Sequence, residues 1–428
     1  MNKVSRFLYP GVRLKRWIFL FILSFIVFSI GLSGIMGKVL GGVKINFLNL
    51  DKYFIPLRDF IIDSTRRVTI DIIVIIIGII GVYYTVSIFL KTLHTLYPLK
   101  IDIVKASYDE IRLRKGTKIV TIGGGTGLSS LLKGLKLYTS NISAIVTVAD
   151  DGGSSGRLRK DLKMLPPGDI RNCMTALADS STLMSKIFQH RFKTNNDLNG
   201  HSFGNLFIAA ISKISGSFEK AIEESSKILS IRGKVYPVTL EKIILKAKLK
   251  NKKTIKGQSN ISNSKYPIER VFINPVSPLP SNKAIISIKK AKVIVLGPGS
   301  LYTSIIPNLL VKDITKEILH SKAKKIYVCN IMTQPGETSN YKLSDHIKAI
   351  IDHTGYNIIQ YVIVNIEKIP AILLNRYKKE NSYPVKIDEK NLKKYDIILI
   401  KEKFLSIENN LIRHNSEKLA KVILKISI

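Results

Sequence analysis

Two long apolar runs open the chain, and a repeated alternation of strand, glycine turn and helix follows them. Trp17 to Met36 is apolar and uncharged, close to the ~20 residues that a bilayer span needs, and it follows a basic stretch holding Lys3, Arg6, Arg13, Lys15 and Arg16. A mixed, charged loop over 38–69 leads to a second apolar run, Ile70–Leu90, with Asp71 at its edge. A secretory signal is too short a reading for two such runs. They predict an anchor over 1–95 with transmembrane helices at about 17–37 and 70–90. Two spans return both termini to one side, and the positive-inside rule favours the cytoplasm. The membrane is then a partner through 17–90, and the location is the inner or plasma membrane.

Residues 96–117 read as a polar, basic connector. From Lys118 to Ile428 the pattern changes. Short β-branched runs at 118–122, 145–149, 293–297, 326–330, 361–365 and 397–400 read as buried strands. Helical periods lie between them, beginning with Leu128, Leu131, Leu132 and Leu135 on one face. Further helices are expected at 170–178, 207–214, 218–229, 281–290 and 344–353, and a helix–strand–helix tail closes the chain. That alternation predicts an α/β domain over 118–428 with a parallel sheet. Residues 234–275 differ: short alternating segments split by Asn, Gly and Ser predict a small β-hairpin insertion. Its lysine-rich part, 242–256, reads as an exposed edge protected by charge.

Three turns carry the candidate chemistry. The first is Gly123-Gly124-Gly125-Thr126-Gly127, between a strand and a helix. This geometry aims backbone N–H groups and a helix N-terminus at an anion. Its glycines do not match Gly-x-Gly-x-x-Gly, and no Gly-Lys-Ser/Thr follows. The second runs Asp150-Asp151-Gly152-Gly153-Ser154, with Arg157 and Arg159 beyond it. Its carboxylates could accept hydrogen bonds from ribose or base, or hold Mg²⁺ through water. Arg157 could meet a diphosphate. The third holds Gly297, Gly299, Ser300, Tyr302, Thr303 and Ser304. Turns after parallel strands lie at one edge of the sheet, so the three together point to one phosphate-bearing ligand. Gly124, Gly125, Thr126, Gly127, Gly299 and Ser300 are the expected diphosphate contacts. Asp150, Asp151, Arg157, Asn172 and Asn205 are assigned to sugar, ribose or base. Asp169 reads as an N-cap ahead of 170–178, and Asn172 and Asn205 as residues that open helices.

Composition narrows the partners. The net charge is +36 with 67 Lys plus Arg. The lysines are spread along the chain and not interleaved with aromatics, which argues for solvated surface over specific nucleic-acid binding. Cys173 and Cys329 are the two cysteines, so a disulfide framework and a Cys-based zinc site are excluded. No covalent nucleophile stands out, and no cofactor is required. If the chain is an enzyme, Asp150, Asp151 and Asp169 are the catalytic candidates, as holders of Mg²⁺ and activated phosphate.

Six motifs occur in order: Gly123-Gly-Gly-Thr-Gly-Leu128, Ala149-Asp-Asp-Gly-Gly-Ser-Ser-Gly-Arg157, Pro166-Pro-Gly-Asp-Ile-Arg-Asn172, Gly200-His-Ser-Phe-Gly-Asn-Leu206, Gly297-Pro-Gly-Ser-Leu-Tyr-Thr-Ser304 and Asn330-Ile-Met-Thr-Gln-Pro-Gly-Glu-Thr338. Over about 116–425 they closely resemble the YvcK branch of the CofD-like family, the gluconeogenesis factors. The resemblance implies a Rossmann-like three-layer α/β/α fold. It also implies binding of a UDP-sugar, notably UDP-N-acetylglucosamine, and a role in cell shape and wall-precursor supply on gluconeogenic carbon. Cell-wall synthesis proteins are then expected partners, and a homo-oligomer is compatible with it. The motifs place Gly152, Gly153, Ser154, Asp169 and Arg171 in the same ligand set. The CofD branch instead transfers a phospholactate-type group from a nucleotide donor with Mg²⁺, which is the alternative activity. Lys292 departs from the Asp common before this strand, the stretch 251–265 is unusually rich in Lys, Asn and Ser, and the two spans are an addition.

Overall fold

The computed structural model describes residues 14–39, 64–96, 110–179 and 182–427. The basic N-terminal stretch, most of the loop expected at 38–69 and most of the connector expected at 96–117 lie outside these residues. The chain divides into two compact units, Met1–Ala106 and Ser107–Ile428.

The first unit contains two helices, Leu14–Val39 and Ser64–Leu96. Both run past the apolar stretches that predict them, and at 1.5 Å per residue each is long enough to cross a bilayer. They pack as a pair through small residues. A Cβ at Gly78 would lie 2.6 Å from the Phe28 backbone, and one at Gly81 would lie 2.6 Å from Ser24 Oγ. Small residues at such positions let two helix backbones approach closely.

The second unit is built on seven parallel strands. They are β1 (Ile119–Gly123), β2 (Ile142–Val146), β3 (Lys234–Pro237), β7 (Val293–Leu296), β8 (Lys324–Val328), β9 (Tyr361–Asn365) and β10 (Ile398–Glu402). Their order is β10-β9-β8-β7-β1-β2-β3, with helices on both faces. The α/β class expected from the sequence is therefore the fold. The central strands are buried along their length, which is why they read as unbroken Val and Ile runs. Sheet order grows one way from β1 through β2 and β3, and the other way from β7. β1 and β7 are neighbours, paired from Ile119 with Val293 to Ile122 with Leu296. The direction of winding reverses between them.

Three expectations about elements need correction. Val235 does not begin the insertion: β3 is the edge strand of the main sheet, paired with β2 from Ser143 with Lys234. The insertion itself is the antiparallel sheet β5-β4-β6, from β4 (Ile244–Leu249), β5 (Thr254–Lys256) and β6 (Ile268–Asn274), with a short helix Gln258–Ser262. Its charged edge is β5, while β4 is central and points Leu245, Ala247 and Leu249 inward. Second, β2 ends at Val146, three residues before the expected strand end, and 147–152 continue as loop. Third, the tail holds a hairpin between its strand and last helix: β11 (Leu405–Glu408) and β12 (Leu411–His414), turned at Asn409 and Asn410, both with positive φ.

Candidate functional site

The turn after β1 and the turn after β7 touch. A Cβ at Gly127 would lie 2.7 Å from the Pro298 carbonyl oxygen, and one at Gly299 would lie 3.4 Å from the Gly124 carbonyl oxygen. At Gly127 only glycine lets the two backbones approach so closely, while a Cβ at Gly299 would make an ordinary contact. Between them opens a cleft of about 440 Å³, lined by Gly124–Gly127, Pro298–Ser300, Ser304 and Asp169, among others. The helix Gly125–Leu135 begins here with Gly124 as its N-cap, a residue with no side chain to cap it. Its first amides and the positive end of its dipole therefore face the cleft.

Asp169 lies at the same helix start. It accepts a hydrogen bond from the Gly125 amide. Its own helix starts two residues earlier than expected, at Gly168, so Asp169 lies in the first turn of that helix and is not its N-cap. Burial raises its pKa to about 7, and Asp150 adds to the rise, while the Gly125 amide and Arg171 pull against it.

The third turn is partly satisfied by the protein. The Glu337 carboxylate, buried at 2% exposure, accepts from Tyr302 N (3.1 Å) and Thr303 Oγ1 (2.7 Å). Ser300 Oγ donates to Gln334 Oε1 (2.7 Å). Tyr302 OH meets Tyr341 OH. The donors of Tyr302 and Thr303 thus face an internal anion. Gly123 ends β1, and its carbonyl accepts from Asn308 Nδ2 (3.1 Å). Gly297, at φ +78°, needs glycine for the turn.

The second turn is sent elsewhere. Asp150 Oδ1 accepts from Gly152 N (3.0 Å), while Asp151 Oδ1 accepts from Ser259 N and Ser259 Oγ of the insertion. The two neighbouring carboxylates serve separate partners, and among the described residues no group of three His, Cys, Asp or Glu could hold a metal. The two carboxylates that could hold Mg²⁺ through water are therefore not joined by a third protein ligand among the described residues. Arg157 donates to the carbonyls of Asp197 and Asn199. It shares an open depression with Asp151, Gly153 and Ser154. Ser154 Oγ meets His201 Nδ1 and accepts from Asn205 Nδ2, both at 3.0 Å. Arg171 donates to Ser202 Oγ and Asn172 Oδ1, and its pKa falls to about 10, chiefly through burial and then through Arg191. Asn172 lies inside its helix, not at its start, and opens onto a hollow beside Thr126. Asn205 is in the first turn of Phe203–Ser215, where Ser202 is the cap.

The far wall of the cleft was not foreseen. It comes from the loop 330–335, the helix Ala371–Lys379 and the hairpin β11–β12. His414 Nε2 lies 3.2 Å from the Cys329 carbonyl, and Ile412 N donates to Tyr377 OH (2.9 Å), which fastens the hairpin over the end of β8. This places Arg413 in the lining of the cleft, where it is the one Lys or Arg among the described residues. Arg413 gave no signal in sequence because its neighbours carry no ligand spacing. The alternation Leu411–His414 beside an Asn-Asn turn was the available clue to its element.

A parallel α/β sheet with glycine turns meeting where its winding reverses belongs to the class that binds ligands beyond the strand ends. Within that class the chain belongs to the CofD family: the family described as 2-phospho-L-lactate transferase CofD matches residues 119–405. It is similar to the gluconeogenesis factor of Bacillus subtilis, at 47% identity over 72% of this chain and 98% of that protein. A Clostridium acetobutylicum protein with a gluconeogenesis-factor name is 43% identical over 97% of this chain and 90% of its own length, so that likeness runs through both apolar helices. A crystal structure of a Bacillus halodurans protein matches with a TM-score of 0.71 at 46% identity, covering 72% of this chain and all of that one.

Proposed function

We propose that the cleft binds a nucleotide sugar, UDP-N-acetylglucosamine or a related UDP-sugar, and that the chain acts as a binding regulator of wall-precursor supply. One observation carries the reading. The turns after the adjacent strands β1 and β7 line a single cleft, and the start of the helix Gly125–Leu135 and Arg413 are both in its lining. A diphosphate is the group such a lining accommodates. Family likeness supports the uridine and the acylamino sugar. The gluconeogenesis names of the relatives support a role in cell shape when wall precursors must be made from gluconeogenic carbon. The two apolar helices would hold the globular unit at the cytoplasmic face of the plasma membrane, near cell-wall synthesis proteins.

The test is a calorimetric titration of the full chain in detergent with UDP-N-acetylglucosamine, UDP-glucose, GTP and NAD. Saturable binding of the UDP-sugars is expected, and folded protein that takes up neither of them overturns the reading.

A second reading is nucleotide-dependent transfer of a phospholactate-type group, in line with the family description. Asp169 favours it, because a cleft carboxyl near pH 7 can exchange a proton at neutrality. Product formed from a nucleotide donor, and lost in Asp169→Asn, would establish transfer over plain binding.

A further inference from the structure

The insertion reaches the cleft through its short helix Gln258–Ser262, and that helix is held at both ends. At its start, Ser259 N and Ser259 Oγ donate to Asp151 Oδ1 at 2.9 and 3.0 Å. Gly257 sits at φ +93°, so close to the same carboxylate that a Cβ would stand 2.2 Å from Asp151 Oδ2. At its end, Ser262 Oγ donates to Glu337 Oε1 (3.1 Å), and Gly336 lies so near that a Cβ there would meet the Ser262 carbonyl oxygen at 2.2 Å. Ile261 is fully buried between. Two carboxylates, one from the second turn and one beneath the third, therefore fix where this helix stands. Both are positioning residues.

What the clamp delivers is Gln258. Gln258 is among the residues that line the cleft holding the glycine turns. Its Oε1 is buried, and among the described residues it has no hydrogen-bond partner. Buried acceptors are almost always answered; this one has no open surface of its own, so it meets a donor in the cleft when the side-chain amide turns about its last bond. The lining of the cleft supplies backbone donors and a guanidinium for an anion. Gln258 adds the opposite function, an acceptor.

We infer that Gln258 is a specificity-determining residue, whose Oε1 accepts a hydrogen bond from an N–H of the bound nucleotide sugar. This rests on the nucleotide-sugar reading of the cleft. Two parts of such a ligand carry that chemistry, the imide of the base and the acylamino group of the sugar. A site built to pair a polar group discriminates strongly against ligands that lack it, because its own group is then left unpaired.

The experiment uses Gln258→Met, which keeps the length of the side chain and removes the acceptor. Calorimetric Kd values are measured for UDP-N-acetylglucosamine and UDP-glucose, and melting temperatures are measured without ligand. The expected result is an unliganded melting temperature equal to or above that of the wild type, because an unpaired buried oxygen has gone, together with about tenfold weaker binding of UDP-N-acetylglucosamine. If UDP-glucose weakens equally, the donor is the base imide; if it is unchanged, the donor is the acylamino group. Wild-type-like affinity for both ligands overturns the inference while leaving the nucleotide-sugar reading intact. A lowered melting temperature with intact affinity makes Gln258 structural and also overturns it. A wild type that binds neither ligand overturns both.

Discussion

The Asp169 carboxylate fills the space that a side chain on Gly124 would need: a Cβ there would stand 2.6 Å from Asp169 Oδ2. Gly124 itself is extended, at φ −178°, a conformation open to any residue. Its need for glycine is therefore steric. Thr147 Cγ2 closes the other side at 2.8 Å. Gly124→Ala should overpack this point at a cost of about 1–3 kcal/mol and push the first turn off the cleft. A lower midpoint in denaturant together with lost nucleotide-sugar binding is expected. A variant with wild-type stability and affinity would show that the turn is loose enough to yield.

The same carboxyl predicts a pH dependence. Its pKa rises from 3.8 in the unfolded chain to about 7 in the folded one. The folded protein then keeps a proton that the unfolded chain gives up. The stabilisation is full below pH ~4 and is lost as pH rises toward about 7, by at most ~4 kcal/mol at ~1.4 kcal/mol per unit. Denaturation midpoints between pH 4 and 8 should slope downward in the wild type and lose part of that slope in Asp169→Asn. Binding of an anionic ligand should also weaken as Asp169 ionises. Identical slopes in the two proteins would remove Asp169 as the source.

Two arginines separate the cleft from its frame. Arg413 lines the cleft, whereas Arg157 is occupied by the carbonyls of Asp197 and Asn199. Losing a charge-assisted contact of ~1.5–3 kcal/mol, Arg413→Ala should weaken UDP-sugar binding by about tenfold or more. Arg157→Ala should leave affinity close to wild type and loosen the 197–200 loop, seen as faster amide exchange there. The reverse pattern would put the diphosphate in the second turn.

Much of this was legible in the chain, and the misses have a common cause. Strands such as Val293–Leu296 and Tyr361–Asn365 are covered on both faces, so the fold writes them as uninterrupted apolar runs. The meeting of the first and third turns follows from the parallel order alone. Partners brought by tertiary contact are not written locally. Nothing around Lys234–Pro237 says that it joins β2, and a proline there resembles a hairpin border as much as a sheet edge. Asp151 and Arg157 stand in a glycine turn and read as ligand contacts, yet Ser259 and the Asn199 carbonyl reach them from 108 and 42 residues away. Glu337 sits in a motif, but its role under Tyr302 and Thr303 exists only once the sheet is assembled.

The N-terminal helices make the last prediction. Phe19, Ile77, Ile80 and Tyr83 are each more than half exposed on the packed pair, and the apolar windows Arg16–Ser33 and Val68–Phe89 are mostly uncovered. Two helices bearing that much open apolar surface are long and apolar enough to cross a bilayer, which would cover it. The full chain should sediment with membranes, resist alkaline carbonate and 1 M salt, and leave only with detergent. Release by salt alone would point instead to adhesion of the many lysines to anionic lipid, which weakens as ionic strength rises. Removing residues 1–106 should give a soluble unit that still binds the UDP-sugar, because the Bacillus relatives match only that part of the chain and one of them crystallised without a counterpart of the helices. Gly78→Leu is the sharper probe of the pair. A Cβ there already meets the Phe28 backbone at 2.6 Å, so leucine should force the helices apart. Cysteine cross-linking between the two helices should fall in that variant while membrane retention persists, since each helix is long and apolar enough to span alone. Retention lost with the pair would mean that the hairpin, and not its apolar surface, is what holds the protein to the bilayer.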